Sequence, residues 1–401
     1  MSYGLGFFEY FQLAEDIGAI GVPVLNAGLY CQARGKGPIS MDSAQFKQYV
    51  QDMHDLIEFC RGDENSTWGK VRASLGHPEP FELKYICIGN ENEGDVYFER
   101  YQLFLDSFNK AKAANPKLYE GLELIYSAGA FDATHGENYL PSYEYAKEQI
   151  GGGSASDFAG ATDHHYYNEP SWFFKNTDYY DEENYRRSVD EMTDTIYGGG
   201  IQVFLGEYAA KANTMNAALA EAAFMTGLER NADIVHMATY APLFAHVEGW
   251  QWRPDMIWFD NLRSVRTCSY YVQQLYAHNK GTNVLPLTMG GQPVSGQEGQ
   301  DGLFASAVWD KDANTYIVKV INVGDKAQPI SLNFTGLKKK TTLTDGKVIT
   351  FHTDDLLKDN TVDAPNTIIP VESSIAIDGN VLNTQIGPKT FCVYKFVKNG
   401  K

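Results

Sequence analysis

Two short stretches hold the residue types on which chemistry can be built. Tyr85-Ile86-Cys87-Ile88-Gly89-Asn90-Glu91-Asn92-Glu93-Gly94 is an apolar run that stops at a glycine and hands an Asn-Glu pair to a loop. Ile201-Gln202-Val203-Phe204-Leu205-Gly206-Glu207-Tyr208 follows the same plan, and Glu207 comes 116 positions after Glu91. Paired carboxylates at the mouths of two strands are the material of glycoside hydrolysis: one protonates the leaving oxygen, and the other attacks the sugar or activates water. Such groups stand about 5–5.5 Å apart for retention and about 6.5–9.5 Å for inversion, a gap that sequence alone does not fix. Either glutamate by itself reads equally well as a loop carboxylate or a helix cap. Their matched placement is what makes them candidates.

Asp163-His164-His165-Tyr166-Tyr167 is the next chemically loaded run. Strand alternation puts Asp163, His165 and Tyr167 on one face and His164 and Tyr166 on the other. The adjacent histidines therefore do not both face the site, and with no Glu/His partner at ligand spacing nearby no metal is expected. His165 and Tyr167 are expected to point into the site and hydrogen-bond the substrate or the nucleophile. The competing reading has them filling the interior beneath it. Trp250, Trp252 and Trp258 fall within nine residues, which suits either a wall for stacking a sugar ring or the anchoring of a long loop.

The elements that must position these residues alternate. Residues 7–17 read as an amphipathic helix and 21–28 as a short buried strand ending in Asn26. A helix from Ser43 follows, capped by Asp42 with Gln45 and stopped by Gly62. Strands are expected at 85–88, 122–126, 158–167, 201–207 and 233–240. Helices carrying Phe98, Tyr101, Leu105 and Phe108, then 143–150, 185–197, 217–230 and 270–278, lie between and after them. Strands that are apolar almost throughout, set between helices, mean a parallel sheet. No GxGxxG or P-loop follows any of them, whereas Asn26, Asn90-Glu91, His165 to Tyr167, Glu207-Tyr208 and Tyr240 all mark strand ends. Chemistry drawn from the C-terminal ends of several strands is the mark of a (β/α)8 barrel. Three barrel units span roughly 90–120 residues, matching the separation of the two glutamates. Past residue 279 the pattern alternates in twos between Gly, Asp and Asn turns, as in an antiparallel β-sandwich. The expected domains are thus 1–278, a barrel, and 279–401, a sandwich.

Bulk composition narrows the partners. The formal charge of −18 disfavours nucleic acid and polyanionic substrates and suits neutral ligands. No apolar run is long enough to span a membrane. The residues from Met1 to Phe8 show no basic region or cleavage signature, so they are not expected to be a leader. Five cysteines, none in a CxxC pair, indicate neither a zinc ribbon nor a disulfide scaffold, and Cys60 and Cys87 are expected as buried thiols. A surplus of Tyr and Trp fits sugar binding or simply an aromatic-rich core.

These residues also carry a resemblance. Tyr-x-x-x-Gly-Asn-Glu (85–91), Phe-Leu-Gly-Glu-Tyr-Ala (204–209), Ala-Thr-Tyr-Ala-Pro-Leu-Phe (238–244), Trp-x-Pro-Asp-Met-Ile-x-Phe-Asp (252–260) and Ser-Tyr-Tyr-Val-Gln (269–273) resemble the α-L-arabinofuranosidases of glycoside hydrolase family 51 along nearly the whole chain. The resemblance implies a retaining enzyme with Glu91 as general acid/base after strand 4 and Glu207 as nucleophile at strand 7. Asn90 would hydrogen-bond the sugar 2-hydroxyl, His165 and Tyr167 would line the pocket, and a C-terminal β-sandwich would follow. The chain also departs from the family. Its barrel opens where Asn26 would close strand 3, so strands 3–8 are expected here, without the Arg-x-Pro-Gly-Gly-Asn segment and an upstream glutamate that contact the sugar. Glu93, His164 and the segment Arg263–Cys268 replace other residues usual at those places.

The reading is therefore a retaining exo-glycosidase removing terminal α-L-arabinofuranosyl residues from arabinoxylan or arabinan fragments. Glu91 and Glu207 would be catalytic, Asn26, Asn90, His165, Tyr167 and Trp252 would bind substrate, and no cofactor is expected. The alternatives are an endoglucanase or xylanase on the same scaffold, or a carbohydrate-binding protein without turnover. A homo-oligomer or a second chain completing the barrel is the expected protein partner, and the resemblance points to export.

Overall fold

A computed structural model describes residues 5–30, 37–129, 140–151, 153–181 and 202–399. The expected helix over 185–197 lies outside them. Two compact units emerge: Met1–His165 with Arg187–Leu205, and Tyr166–Arg186 with Gly206–Lys401.

The first unit alternates as the apolar periodicity requires, with α1 (Phe7–Asp16), β1 (Val24–Leu25), α2 (Ala44–Arg61), α3 (Thr67–Ser74), β2 (Tyr85–Ile88), α4 (Asp95–Ala114), β3 (Glu123–Ser127), α5 (Leu140–Ile150) and the start of β4 (Ala161–Asn168). β1 to β4 pair in sequence order and in parallel, in the registers Val24↔Cys87, Cys87↔Ile125 and Ser127↔Asp163. β5 (Gln202–Ala210) begins beside β4, where Gln202 N donates to Gly160 O. Ile86, Cys87, Ile88, Leu124, Ile125 and Tyr126 are buried, as strands covered on both faces must be.

The structure departs from the sequence pattern at several places. β1 is only two residues long and Val24 is exposed; among the described residues β2 alone pairs with it. Ser43, not Asp42, caps α2, accepting from Phe46 N, because a hydroxyl placed there reaches the orphan amides of the first turn. Gly62 does close that helix, at an ordinary φ of −66°. Its need is space, since a Cβ there would meet the Glu58 carbonyl oxygen at 2.5 Å. Phe158 lies ahead of β4, after a 3-10 turn over Ala155–Asp157.

In the second unit β5 runs on through Glu207 to Ala210, so Glu207 stands inside the strand rather than at its end. β6 (Val235–Tyr240) lies beside it, Thr239 Oγ1 donating to Gly206 O. His236 and Thr239 are exposed, so β6 lacks the uniform apolar burial expected. The long aromatic loop is itself a small sheet, β7 (Phe244–His246), β8 (Ile257–Phe259) and β9 (Ser264–Arg266).

The C-terminal part forms the expected antiparallel sandwich. One sheet runs through Asn283–Leu285, Leu303–Asp310, Thr315–Asn322, Thr390–Asn399, Thr342–His352 and Val371–Ser374; Gln328–Asn333 pairs with Val381–Ile386 in another. Strand alternation divides the side chains of the larger sheet between two cores. Ala305, Val320, Cys392 and Tyr394 face Leu382 and Ile386. Phe304, Ile321, Phe391 and Val393 pack instead on Ala218, Leu219, Ala222, Val272 and Leu275 of the helices Met215–Arg230 and Cys268–His278. Helices before residue 279 and strands after it therefore share a core. Among the described residues no helix is long and apolar enough to cross a membrane.

Candidate active site

In the first unit the loop after β2 is built around Glu91. Gly89 and Gly94 take φ of +84° and +70°, and Glu91 itself takes +52°. A left-handed non-glycine residue costs on the order of 1 kcal/mol or more and persists only when its surroundings force it. They do. Asn92 is buried, its N–H donating to Ser127 Oγ and its carbonyl accepting from the same hydroxyl, each at 3.0 Å. Tyr97 at the start of α4 donates to Ile88 O and accepts from Ser127 N. Asn92 Oδ1 also accepts from Asn90 N.

Held this way, Glu91 Oε1 lies 3.0 Å from Nδ1 of His165, whose Nε2 lies 3.1 Å from Oδ2 of Asp163. Glu91 is half-buried, while His165 and Asp163 are each 2 % exposed. The His165 bond holds the Glu91 carboxyl below its usual range, against the upward push of burial. His164, on the opposite face, is fully buried and pushed down to about 3, which makes it a neutral core histidine. Asn90 and Asn26 are both exposed; Asn26 Oδ1 accepts from Gly28 N at 2.7 Å and so shapes its own turn.

In the second unit Glu207 Oε2 accepts from the Tyr167 hydroxyl at 2.7 Å. The strand beneath Glu207 is pinned on several sides. Lys211 N donates to Asn168 O, Ala210 N to Glu221 Oε1, and buried Tyr208 bonds Gln273. The Tyr167 ring meets Trp252 edge-on, centroids 5.6 Å apart. The three tryptophans divide between the two readings. Trp252 and Trp250 are 45 % and 48 % exposed, as a stacking surface requires, whereas Trp258 is buried with Nε1 on Asn213 Oδ1 and anchors the loop. Arg253 lies over the rings of both Trp250 and Trp258. Asn92, Tyr97, Ser127 and Gln273 have no separate role in the sequence pattern. Their signal was weak, since each looks like an ordinary polar or aromatic residue until the chain is folded.

Family comparison matches residues 2–187 to the α-L-arabinofuranosidase 1 domain and residues 202–389 to the α-L-arabinofuranosidase C-terminal domain. The chain belongs to the α-L-arabinofuranosidases of glycoside hydrolase family 51. An extracellular exo-α-L-arabinofuranosidase of Streptomyces chartreusis is 40% identical over 345 residues, which is 86% of this chain and 38% of that protein. Alpha-L-arabinofuranosidase 1 of Arabidopsis thaliana is 32% identical over 404 residues, 98% of this chain and 52% of its own. The chain thus spans about half or less of the length of these relatives. Among solved structures, an arabinose-bound GH51 α-L-arabinofuranosidase matches with a TM-score of 0.75 at 28% identity, over 99% of this chain and 57% of that one. The α-L-arabinofuranosidase of Thermotoga maritima, in its arabinose complex, matches at 0.70 and 17% identity over 99% and 79%. The fold is that of the family, a (β/α) barrel followed by a β-sandwich.

Proposed function

We propose that this chain provides the catalytic glutamates of a retaining glycoside hydrolase that releases terminal α-L-arabinofuranosyl residues from arabinose-containing glycans. Glu207 attacks the anomeric carbon and Glu91 protonates the leaving oxygen. Glu91 then takes a proton from the water that releases the sugar, so one carboxyl serves as acid and then base. The observation that supports this reading is that each glutamate is held within its own unit by a neighbour from the run 163–167: His165 holds Glu91 in the first, and Tyr167 holds Glu207 in the second. Trp252 supports it as an exposed ring beside Tyr167, and Asn90 and Asn26 as exposed amides at strand mouths. The relatives named above supply the sugar.

The deciding experiment is product analysis on arabinan and arabinoxylan oligosaccharides, with the anomer of the first-formed product read by proton NMR. Free arabinose released with retention is expected. Oligosaccharide products would point to an endo-acting enzyme, and binding without turnover to a carbohydrate-binding protein; either would overturn the proposal.

A further inference from the structure

Asp163 is the part of the Glu91 array that the reading above leaves unused. Its carboxylate is 2 % exposed, Oδ2 faces His165 Nε2, and Oδ1 has no hydrogen-bond partner among the described residues. A buried carboxylate with an unsatisfied oxygen is costly unless a charge offsets it. The only cationic group it bonds among the described contacts is the imidazole of His165 when that ring carries two protons. Resting on the assignment of Glu91 as acid/base, we propose that Asp163 is a positioning residue of that acid/base: it fixes a proton on Nε2 of His165 and keeps a second proton on the line between Nδ1 and Glu91 to higher pH.

A carboxylate facing Nε2 demands an N–H there, so a neutral His165 presents a bare Nδ1 to Glu91. Two carboxylates bracketing one ring then share a second proton, which sits on Nδ1 or on Glu91 Oε1. Its loss leaves a lone pair facing a carboxylate, with the charge of Asp163 behind the ring. A neighbouring negative charge disfavours that loss and raises the pKa at which the pair gives up its proton. Other titratable groups of this unit that face the array hold one state. Cys87, on β2, lies 3.8 Å from Asp163 Oδ2, and burial followed by the Asp163 charge raises its thiol well above the ordinary value. Tyr97 and Tyr101, which face Cys87, are likewise raised by burial, and His164 is neutral.

Asp163→Asn keeps the shape and a hydrogen-bond acceptor but removes the charge. The basic limb of the kcat/KM pH profile should fall by about one unit. Loss on substrates with poor leaving groups should be about tenfold or more, with little change on activated aryl arabinofuranosides. An unmoved limb with equal losses on both substrates would mean a structural role and overturn the proposal. Imidazole 15N shifts of His165 in the 15N-histidine-labelled parent protein test the same point without a variant. Nε2 should be protonated from pH 5 to 8, and a neutral ring protonated only on Nδ1 would overturn it. That measurement holds even if Glu91→Ala shows that Glu91 is not the acid, so the two failures are distinguishable.

Discussion

Tyr167 donates its phenolic proton to Oε2 of Glu207 across 2.7 Å, from a ring that Trp252 meets edge-on. A hydrogen bond to a charged acceptor contributes about 1.5–3 kcal/mol. Tyr167→Phe removes that bond and keeps the ring against Trp252. On the proposed mechanism kcat should drop by roughly 10- to 100-fold with KM within a few-fold, because the lost bond orients the nucleophile. Steady-state kinetics on an aryl arabinofuranoside check this; a pure KM effect would count against Glu207 as the nucleophile.

The two glutamates should respond differently to removal. Glu91→Ala should spare substrates with good leaving groups in the first step, which need no protonation, while crippling those with poor ones. Added azide should rescue the second step by replacing activated water. Glu207→Ala should lose at least about 10⁴-fold on both, as expected for loss of a nucleophile. Equal losses on both substrate types for Glu91→Ala would remove its assignment.

Gly89 tests how the loop presents Glu91. Its φ is +84°, and an added Cβ would come within 2.6 Å of Asn92 Oδ1 and 2.9 Å of the Tyr97 ring. Gly89→Ala should cost about 1–3 kcal/mol in stability from the strained backbone alone. It should also lower activity further than the stability loss explains, since Asn92 and Tyr97 set the position of Glu91. Urea denaturation paired with kinetics well below the unfolding midpoint separates the two effects.

Much of this was legible in the sequence. The strands at 85–88 and 123–127 and the helix Asp95–Ala114 follow from long apolar periodicities, and Gly89 and Gly206 announced the two carboxylates. The period of two along β4 put Asp163, His165 and Tyr167 on one face, although it did not reveal that each would hold another group. Tyr97 was hidden because its neighbours Phe98 and Tyr101 already satisfied the helical stripe. Its hydroxyl gains meaning only from Ile88 and Ser127, which are distant in the chain. The sequence favours Asp42 as the cap of α2 where the structure uses Ser43, because both are good caps and one residue of phase decides between them. Trp258 could not be told from Trp252 by composition, since burial depends on Asn213 reaching the indole N–H.

Glu221 gives the last prediction. It lies in the helix Met215–Arg230, fully buried, and Oε1 accepts from Ala210 N at the end of the strand that carries Glu207. Burial pushes its carboxyl up to about 8, with the Ala210 N–H opposing. The folded chain therefore keeps a proton that the unfolded chain releases near the ordinary glutamate value of about 4.3. Between those two values the native state binds more protons than the unfolded one, so this group's contribution to stability is present at low pH and declines as pH rises through the window. Glu221→Gln keeps an acceptor for Ala210 N and removes the titration. Relative to the parent it should gain a few kcal/mol in unfolding free energy between about pH 5 and pH 8. Urea midpoints across that range measure the gain; a parallel pair of curves would show that Glu221 stays ionised in the folded protein.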